Sequence, residues 1–420
     1  MNRFVTAKQA ETWINGERWK GEKRGLENTR ALLEILGHPE TRMGRILHVA
    51  GTNGKGSTCA YLSGALTACG YKTGLFTSPY LRRFNERISL NGQPIPDEAL
   101  ADVASRVADA AEEAARSGIF ATTFELLTVC ACEYYAREHT DFAVMEVGMG
   151  GRLDSTNVLP SSVSLIAAIG FDHMARLGNT LPEIAAEKAG IFKSGVPAVV
   201  MQNPDSVMRV FAESAQNAGA ELYIADKPRL LEYTKDGSTF ECTLPVSGRI
   251  LQSIRVRGAH QADNACLALS ALDLLGIDME AARRGVARAY WPGRLDLIGN
   301  ILIDCAHNPQ GAYTLKEYVD TFFSAHRKVL LTGMMQDKQI DKCAEIFASF
   351  ADETVTTAVS WPRAISACEL AKFYPDAHAV ENEEAALAAA VKRAGSDGLV
   401  ICAGSVYLAG DVLNILSSAR

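Results

Sequence analysis

Short apolar runs of strand length alternate with amphipathic stretches of helix length almost from end to end of the chain. This alternation is typical of parallel sheets that carry helices on both faces, so we predict an α/β fold. In the first half we predict strands at 46–50, 73–77, 142–147, 163–169, 198–202 and 221–225. Two alternating runs at 239–246 and 250–257 predict an antiparallel hairpin at the margin of this sheet.

The length of the chain predicts two domains. With 420 residues and a 48% apolar composition, the chain exceeds the size at which one hydrophobic core usually keeps growing. A turn-forming cluster at 291–294 precedes a new predicted strand at 301–305, so we place the boundary there. The domains would comprise residues 1–296 and 297–420, and the second repeats the α/β rhythm with further strands at 328–332, 353–359 and 399–403.

Composition and charge argue against several classes of partner. The formal net charge of −7 is mild and its charges are interspersed, which does not favour nucleic acid or an anionic membrane surface. The chain has no apolar run of about 18 residues, and residues 1–20 lack the apolar core of a signal peptide. The ten cysteines are scattered through apolar segments without metal-site spacing. We therefore expect a cytoplasmic protein with small-molecule ligands.

A glycine-rich turn follows the first predicted strand and leads into a helix. It consists of Gly51, Thr52, Asn53, Gly54, Lys55, Gly56 and Ser57. Glycines let backbone N–H groups approach phosphate oxygens, and Lys55 can neutralise charge between phosphates. Gly56 separates the lysine from Ser57, which departs from the common G-x-x-x-x-G-K-S/T spacing. The flanking strand and helix favour a phosphate-binding loop over a structural glycine turn.

Polar side chains follow the neighbouring predicted strands. Ser78, Glu146 and His173 each come at or just after the end of a strand. Taken singly, Glu146 could be an ordinary surface residue and His173 a structural histidine. Because the carboxyl ends of parallel strands meet at one edge of a sheet, we expect them near Ser57. Together these hydroxyl, carboxylate and imidazole groups suit a Mg2+ ion that bridges nucleotide phosphates.

Several motifs together resemble one known family. They are Gly51-Thr-Asn-Gly-Lys-Gly-Ser57, Thr77-Ser-Pro79, Met145-Glu-Val-Gly-Met-Gly-Gly-Arg-Leu-Asp154, Glu187-Lys-Ala-Gly-Ile191, Gly258-Ala-His-Gln261, Trp291-Pro-Gly-Arg294, Asp304-Cys-Ala-His-Asn-Pro309, Asp337-Lys338 and Gly404-Ser405. In this order they resemble the folylpolyglutamate synthase and dihydrofolate synthase family, which belongs to the Mur ligases. The resemblance implies a phosphate-loop ATPase domain with a mostly parallel sheet and a smaller C-terminal Rossmann-like α/β domain. ATP and both acceptors would meet in the cleft between them.

The resemblance also implies roles for individual residues. The implied ATP-binding residues are those of the phosphate loop together with Asn264, Arg294 and Asp304. The implied Mg2+ ligands are Ser57, Ser78, Glu146 and His173. Lys188 resembles the lysine that is carbamylated in this family, where the new anion supports the metal site. Catalytic roles are implied for Lys55, Lys188, His173 and His307, although His307 could instead cap the following helix.

The pterin end of the acceptor is implied to rest on three segments. These are Leu26, Glu27, Asn28 and Thr29, then Thr122, Thr123, Phe124 and Glu125, and finally Leu153, Asp154 and Ser155. A phenylalanine in a helical run is equally expected in the core. The chain departs from the family pattern at Tyr80, where histidine is common, and at Cys305, where glycine is usual. Neither position supplies a predicted ligand atom.

The predicted function is an ATP-dependent, Mg2+-requiring ligase that adds L-glutamate to a folate-type carboxylate through an acyl phosphate. The acceptor is dihydropteroate, a reduced folate, or both, since the shared motifs do not separate them. One alternative is a Mur ligase with another amino-acid acceptor, for whose additional domain the N-terminal segment leaves no room. Another is a non-catalytic ATP-binding switch, which need not retain Glu146, His173 and Lys188 together. A monomer fits the family.

Overall fold

The computed structural model describes residues 3–16 and 25–418. Part of the stretch 1–20, on which the signal-peptide prediction rests, lies outside these ranges. Within them, no helix combines the length and the apolar character that crossing a membrane requires. The architecture is α/β, as predicted from the alternation of apolar runs.

The described residues form strands β1 to β17. They are Arg45–Ala50, Thr73–Phe76, Ile88–Leu90, Gln93–Pro94, Phe142–Glu146, Ser161–Ile166, Ala198–Val200, Leu222–Ile224, Arg229–Thr234, Gly237–Leu244, Gly248–Ile254, Asp296–Ile298, Ile301–Ile303, Lys328–Thr332, Glu353–Thr356, His378–Ala379 and Leu399–Ala403. Each predicted strand is present, with small shifts at its ends. β6, β11 and β15 end three residues before their predicted ends. Beyond β6 the chain turns to contact the phosphate loop through the carbonyl of Ala168.

The described α-helices are α1 to α15. They are Ala7–Ile14, Glu27–Ile35, Lys55–Ala68, Asp97–Arg116, Thr123–Arg137, Met174–Leu177, Leu181–Ala189, Asp205–Ala218, His260–Leu274, Met279–Arg288, Pro309–Phe322, Ile340–Ala348, Ala367–Ala371, Glu383–Ala394 and Val406–Ser418. Many begin at a side-chain cap. Thr122, for example, accepts a hydrogen bond from the backbone N–H of Glu125, the third residue of α5.

The main sheet has the order β4-β3-β2-β5-β1-β6-β7-β8. Its strands run parallel except at one edge, where β3 pairs antiparallel with β2 and β4. β1 lies between β5 and β6, and helices α3, α9 and α10 share an apolar core with one face of the sheet. Because β1, β2, β5 and β6 are parallel, their carboxyl ends meet at one edge, where ligands bind in such sheets.

A second α/β sheet has the order β12-β13-β17-β14-β15-β16 and is parallel except for β12. It begins at Asp296, and helices α11 to α15 supply its own apolar cores. This sheet and its helices are called the C-terminal domain below, and the part that contains the main sheet is called the ATPase domain. The division at residues 296 and 297 stays our proposed boundary.

The predicted hairpin forms, but its predicted place is wrong. β10 and β11 pair antiparallel, and β9 joins them in a separate three-stranded sheet, whereas β8 ends the main sheet. The sequence pattern missed β9 because its side chains are mostly exposed and show no apolar alternation. The separate sheet packs on α9 through the buried side chains of Phe240, Cys242 and Leu244.

Candidate active site

The phosphate loop leaves β1 at Gly51 and enters α3 at Lys55. Gly51 and Gly54 have φ of 147° and 87°, a region of backbone conformation that favours glycine. The backbone N–H of Thr52 donates to the carbonyl of Ala168 at 2.8 Å, which ties the loop to the segment after β6. Lys55 Nζ donates to the carbonyls of Gly51 and Thr52 at 3.2 and 3.3 Å. The lysine is therefore folded over its own loop.

The loop forms one wall of a cavity of about 420 Å³ between the two domains. All seven predicted loop residues line it. The other predicted ATP-binding residues Asn264, Arg294 and Asp304 line it from α9, from the turn before β12 and from the segment after β13. Asp304 accepts hydrogen bonds from the backbone N–H groups of Leu295 and Ala306 at 2.9 and 2.8 Å. The carboxylate thereby fixes the turn that carries Arg294.

Gly56, which breaks the common motif spacing, lies under the indole of Trp291. A Cβ at Gly56 would lie 2.8 Å from Nε1 of Trp291, closer than side chains approach. Trp291 belongs to the turn between α10 and β12, where the chain passes to the C-terminal domain. The glycine therefore makes room for this connecting turn beside the phosphate loop, a reason that spacing alone did not reveal.

Gly56→Ala is expected to lower the free energy of unfolding by about 1–3 kcal/mol, because the new methyl group overpacks against Trp291. Gly64→Ala, in the same helix α3, is the matched control. Its Cβ would meet Gly285 O and Ala289 Cβ at 3.5 and 3.6 Å, which is ordinary contact. The control is expected to be neutral or stabilising by up to about 1 kcal/mol. Urea unfolding measures the free energy of unfolding of both variants. Equal values would contradict the proposed clash between a side chain at position 56 and Trp291.

The four predicted metal ligands, Ser57, Ser78, Glu146 and His173, all line the cavity. The backbone N–H of Ser78 donates to Glu146 Oε2 at 3.0 Å. Burial raises the pKa of Glu146, against the opposing charge of Lys55. Among the described residues, His, Cys, Asp and Glu form no preassembled group of three that would hold a metal. The set fits a hard cation that arrives with nucleotide phosphates and needs only one or two carboxylates.

Asp172 connects His173 to the C-terminal domain. Its Oδ1 lies 2.8 Å from Lys338 Nζ, and its Oδ2 lies 3.5 Å from His307 Nε2. Burial acts to raise the pKa of Asp172, yet His307 and Lys338 together hold it well below its usual range. Burial also lowers the pKa of His173 to about 4, so its imidazole is neutral near pH 7 and free to ligate a cation.

The alternative role of His307 as a helix cap is wrong. Its Nδ1 is 2.8 Å from the carbonyl of Cys305 and, as donor, leaves Nε2 facing Asp172 in the cavity. Asn308 caps α11 instead, because its Oδ1 accepts from the backbone N–H of Gly311 at 2.9 Å. The departure at Cys305 is accommodated beside Gly293, whose carbonyl accepts the N–H of Cys305 at 3.1 Å. A part in catalysis for His307 stays a prediction.

Lys188 lies in the last turn of α7, and its side chain is buried against the phosphate loop. It is 4% exposed, and its Nζ donates to the carbonyl of Gly51 at 2.9 Å. Burial, with a smaller contribution from Lys55, lowers the pKa of Lys188 to about 7. A large part of the amine is thus neutral near pH 7. Neutrality is what the amine needs to react with carbon dioxide.

Two of the predicted pterin-binding segments are the first turns of α2 and α5, and the third, at 153–155, contacts α5. Asn28 Nδ2 donates to Glu125 Oε2 at 3.4 Å, and Ser155 Oγ lies 2.7 Å from Thr128 Oγ1. The predicted set spans Leu26, Glu27, Asn28, Thr29, Thr122, Thr123, Phe124, Glu125, Leu153, Asp154 and Ser155. None of these described residues lines the 420 Å³ cavity. Several are buried and already hydrogen-bonded, whereas Leu153 is half exposed.

A second cavity of about 680 Å³ adjoins the first and shares its wall at Ser78, Glu146 and Arg294. Tyr80 and Trp291 line this second cavity. The ring of Tyr80 packs 6.0 Å from that of Phe84, and the guanidinium of Arg87 lies over it. The departure at Tyr80 thus falls in the second cavity, which sequence reasoning did not foresee.

Gln261 and Asn308 line the first cavity and Lys338 contacts its lining residue Asp172, yet sequence reasoning gave none of the three a role. Gln261 Nε2 donates to Ser57 Oγ at 3.3 Å, while Lys338 and Asn308 reach the ATPase domain from the other side. All three lie in motifs that carry the family resemblance. Their contacts depend on how two separate parts of the chain pack, which residue spacing does not express.

Comparison with known proteins gives a consistent result. Residues 49–272 match the Mur ligase middle domain, and residues 293–406 match the Mur ligase glutamate ligase domain. A dihydrofolate synthase/folylpolyglutamate synthase of Bacillus subtilis is 35% identical, and the alignment covers 97% of this chain and 99% of that protein.

Two solved structures extend this likeness to the fold. Escherichia coli FolC in complex with DHPP and ADP superposes with a TM-score of 0.89 at 28% identity, covering 99% of each chain. A bifunctional folylpolyglutamate synthase/dihydrofolate synthase of Yersinia pestis, complexed with AMPPNP and a Mn ion, superposes with a TM-score of 0.85 at 29% identity, covering 98% of each chain. The chain therefore belongs to the dihydrofolate synthase/folylpolyglutamate synthase family of Mur ligases, as its motifs predicted, and is a ligase.

Proposed function

We propose that this chain uses ATP to join L-glutamate to a folate-type carboxylate through an acyl phosphate, releasing ADP and phosphate. The observation that carries the proposal is the convergence of a phosphate loop, oxygen and imidazole donors for a cation, and His307 of the C-terminal domain on one cavity. Membership of the family supports the same activity. We also propose that the protein acts in the cytoplasm, in keeping with its composition, and as a monomer, which fits the family.

Activation of the carboxylate is the first chemical task. A carboxylate resists attack by an amine because it is anionic and its oxygen leaves poorly. Transfer of the γ-phosphoryl group of ATP to the carboxylate oxygen removes both obstacles. Phosphoryl transfer depends mainly on positioning and on neutralising charge, which the backbone of the loop and Lys55 provide. The loop and Lys55 therefore act at the nucleotide, on the side of the cavity that belongs to the ATPase domain.

Attack by the amine of glutamate completes the reaction and releases phosphate. His307 and Asp172 lie on the side of the cavity formed by the C-terminal domain and the segment after β6. We propose that His307 orients the attacking amine, while closure of the domains keeps water from the acyl phosphate. Glutamate would thus enter from the C-terminal domain.

We propose Mg2+ as the cation, held by Ser57, Ser78, Glu146 and His173 beside the nucleotide. When bound, such an ion neutralises charge that develops on the transferred phosphoryl group. The Mn ion of the Yersinia pestis relative supports the use of a divalent cation. The carbamate of Lys188 would add negative charge close to the phosphate loop.

The pterin end of the acceptor is proposed to rest on the segments around Phe124 and Leu153. Leu153→Ala is expected to raise the KM for the acceptor about tenfold and leave the KM for ATP unchanged, because an exposed leucine would lose its contact with the ligand. Tyr80→Ala, in the second cavity, is the comparison variant. If the acceptor KM instead rises only in the Tyr80 variant, the acceptor occupies the second cavity.

The test of the proposed function is ADP release by the purified protein with ATP, Mg2+ and glutamate. Dihydropteroate is offered in one reaction and tetrahydrofolate in another, with mass spectrometry of the products. Turnover with one or both acceptors, dependent on glutamate, is the expected result and also identifies the acceptor. Absence of glutamate-dependent turnover in both reactions would contradict the proposal.

A further inference from the structure

The C-terminal domain holds the phosphate loop by a reciprocal pair of side-chain amides. Asn53 Nδ2 donates to Asn308 Oδ1 at 3.2 Å, and Asn308 Nδ2 donates to Asn53 Oδ1 at 3.0 Å. Asn53 Nδ2 also donates to Gln310 Oε1 at 2.8 Å. Each hydrogen bond that the described structure gives the Asn53 side chain therefore runs to the other domain.

Asn308 is itself firmly placed. Its side chain is buried, and it caps α11 by accepting the backbone N–H of Gly311 at 2.9 Å. Pro309 occupies the first position of the helix, where its fixed φ favours the helical conformation. Asn53, by contrast, lies in a loop with a glycine directly after it and another two residues before. The amide pair thus joins a firmly placed residue of the C-terminal domain to the glycine-rich loop of the ATPase domain.

The C-terminal domain also contacts the segment after β6, which lies beside the phosphate loop. Gln310 Oε1 abuts Gly170, so close that a Cβ there would lie 2.3 Å away. Gly170 is joined to Thr52 by two hydrogen bonds through the threonine hydroxyl, each 3.0 Å long. Lys338 binds Asp172 two residues later along the chain. The C-terminal domain therefore contacts both the phosphate loop and the segment after β6, which line the same side of the cavity.

We propose that Asn308 is a positioning residue that orders the phosphate loop through Asn53, so that the loop reaches its phosphate-holding shape when the C-terminal domain is seated. Asn308 is buried, so leaving its side-chain amide without a partner is costly. The arrangement would restrain ATP from reacting while the cleft is open to water. This catalytic consequence rests on the proposed function, whereas the coupling between the domains does not.

Two matched substitutions isolate the amide pair. Asn308→Ser keeps an oxygen that caps α11, since serine is a good N-cap, but withdraws the amide from Asn53. Asn382→Ser makes the same change at the exposed cap of α14, in the same domain but outside the cavity, where Asn382 Oδ1 accepts the N–H of Ala385 at 2.9 Å. A general loss of cap strength would affect both variants alike.

Hydrogen–deuterium exchange of the full chain without ligand is the test. Asn308→Ser is expected to raise the exchange rate of peptides covering 51–57 about tenfold, although the substitution lies in the other domain. Asn382→Ser is expected to leave this rate at the wild-type value. Wild-type exchange of the loop in the Asn308 variant would overturn the proposal.

A second variant, at Asn53, keeps the proposal testable if Asn308→Ser does not fold. Asn53→Ser is expected to speed exchange at the start of α11. The Asn53→Ser/Asn308→Ser double variant is expected to exchange no faster than Asn53→Ser alone, because the Asn308 change removes only the amide pair that Asn53→Ser has already removed. Additive rates would overturn the proposal. ADP release gives a separate readout, with kcat expected to fall about tenfold in Asn308→Ser and to stay at the wild-type value in Asn382→Ser. If the variants change the exchange rates as expected but the wild type shows no turnover, the proposed function fails and the positioning role stands.

Discussion

Lys188→Met is expected to lower glutamate-dependent turnover by about 100- to 1,000-fold, the loss typical of removing one charged group that stabilises the transition state. Methionine preserves the length and apolar stem of the lysine, so packing at the end of α7 should survive. The control is Lys193→Met, since Lys193 lies on the following turn and donates to Asn157, away from the cavity. This variant should keep turnover close to that of the wild type.

The expected loss has a chemical cause that bicarbonate can test. Burial lowers the pKa of Lys188 to about 7. Above that pH the amine is mostly neutral and can add carbon dioxide, forming an N–C bond and releasing a proton to give an anionic carbamate. Below it, protonation blocks the addition. Wild-type protein depleted of carbon dioxide should therefore lose turnover and regain it with bicarbonate, more completely at pH 8 than at pH 6.

Two results would contradict this role for Lys188. One is turnover of the Lys188→Met variant near the wild-type level. The other is a wild-type enzyme whose turnover does not respond to depletion and return of bicarbonate. Mass spectrometry of the intact protein adds a direct reading, because carbamylation adds the mass of one carbon dioxide. The methionine variant should show neither the added mass nor the response to bicarbonate.

Glu146→Gln is expected to lower kcat by about 100- to 1,000-fold while leaving the protein at least as stable as the wild type. The buried carboxylate lines the cavity beside Ser78 and Lys55, where a cation and phosphates would meet. Glutamine keeps the shape of the glutamate side chain but carries no charge. Steady-state kinetics at saturating Mg2+ measure the loss, with Glu213→Gln on the exposed face of α8 as control.

The stability part of this prediction follows from the sign of the pKa shift. Burial raises the pKa of Glu146 in the folded state, so ionising this side chain disfavours folding. The cost is fully present at pH above the folded pKa and disappears as the pH falls below the unfolded value. The glutamine variant should therefore melt at an equal or higher temperature at neutral pH, and the difference should vanish in acid. A lower melting temperature at neutral pH would show that the charge supports the fold.

The ATPase side of the site was predictable from sequence because it depends on local order along the chain. A parallel sheet aligns the carboxyl ends of its strands, so the order of the strands along the chain is enough to place Ser57, Ser78, Glu146 and His173 at one edge. The phosphate loop was predictable for the same reason. Its glycines, lysine and flanking elements are consecutive in sequence.

The contacts between the domains were not predictable from sequence. Asn53 and Asn308 are 255 residues apart, and nothing in their local patterns fixes how the two sheets face each other. Lys338 was visible as part of a motif, but its partner Asp172 was not. Strand β9 was not predicted for a different reason. Its side chains are mostly exposed, so its sequence lacks the alternation of apolar and polar residues that predicts a strand.

Transfer of 18O from the acceptor carboxylate to phosphate tests the central claim most directly. The acceptor is labelled in both carboxylate oxygens and incubated with the purified protein, ATP, Mg2+ and glutamate, and the released phosphate is analysed by mass spectrometry. An acyl phosphate intermediate predicts one 18O atom in each phosphate released, matched by one amide bond formed. Unlabelled phosphate accompanying amide formation would contradict the account, because it would mean that the carboxylate was never phosphorylated.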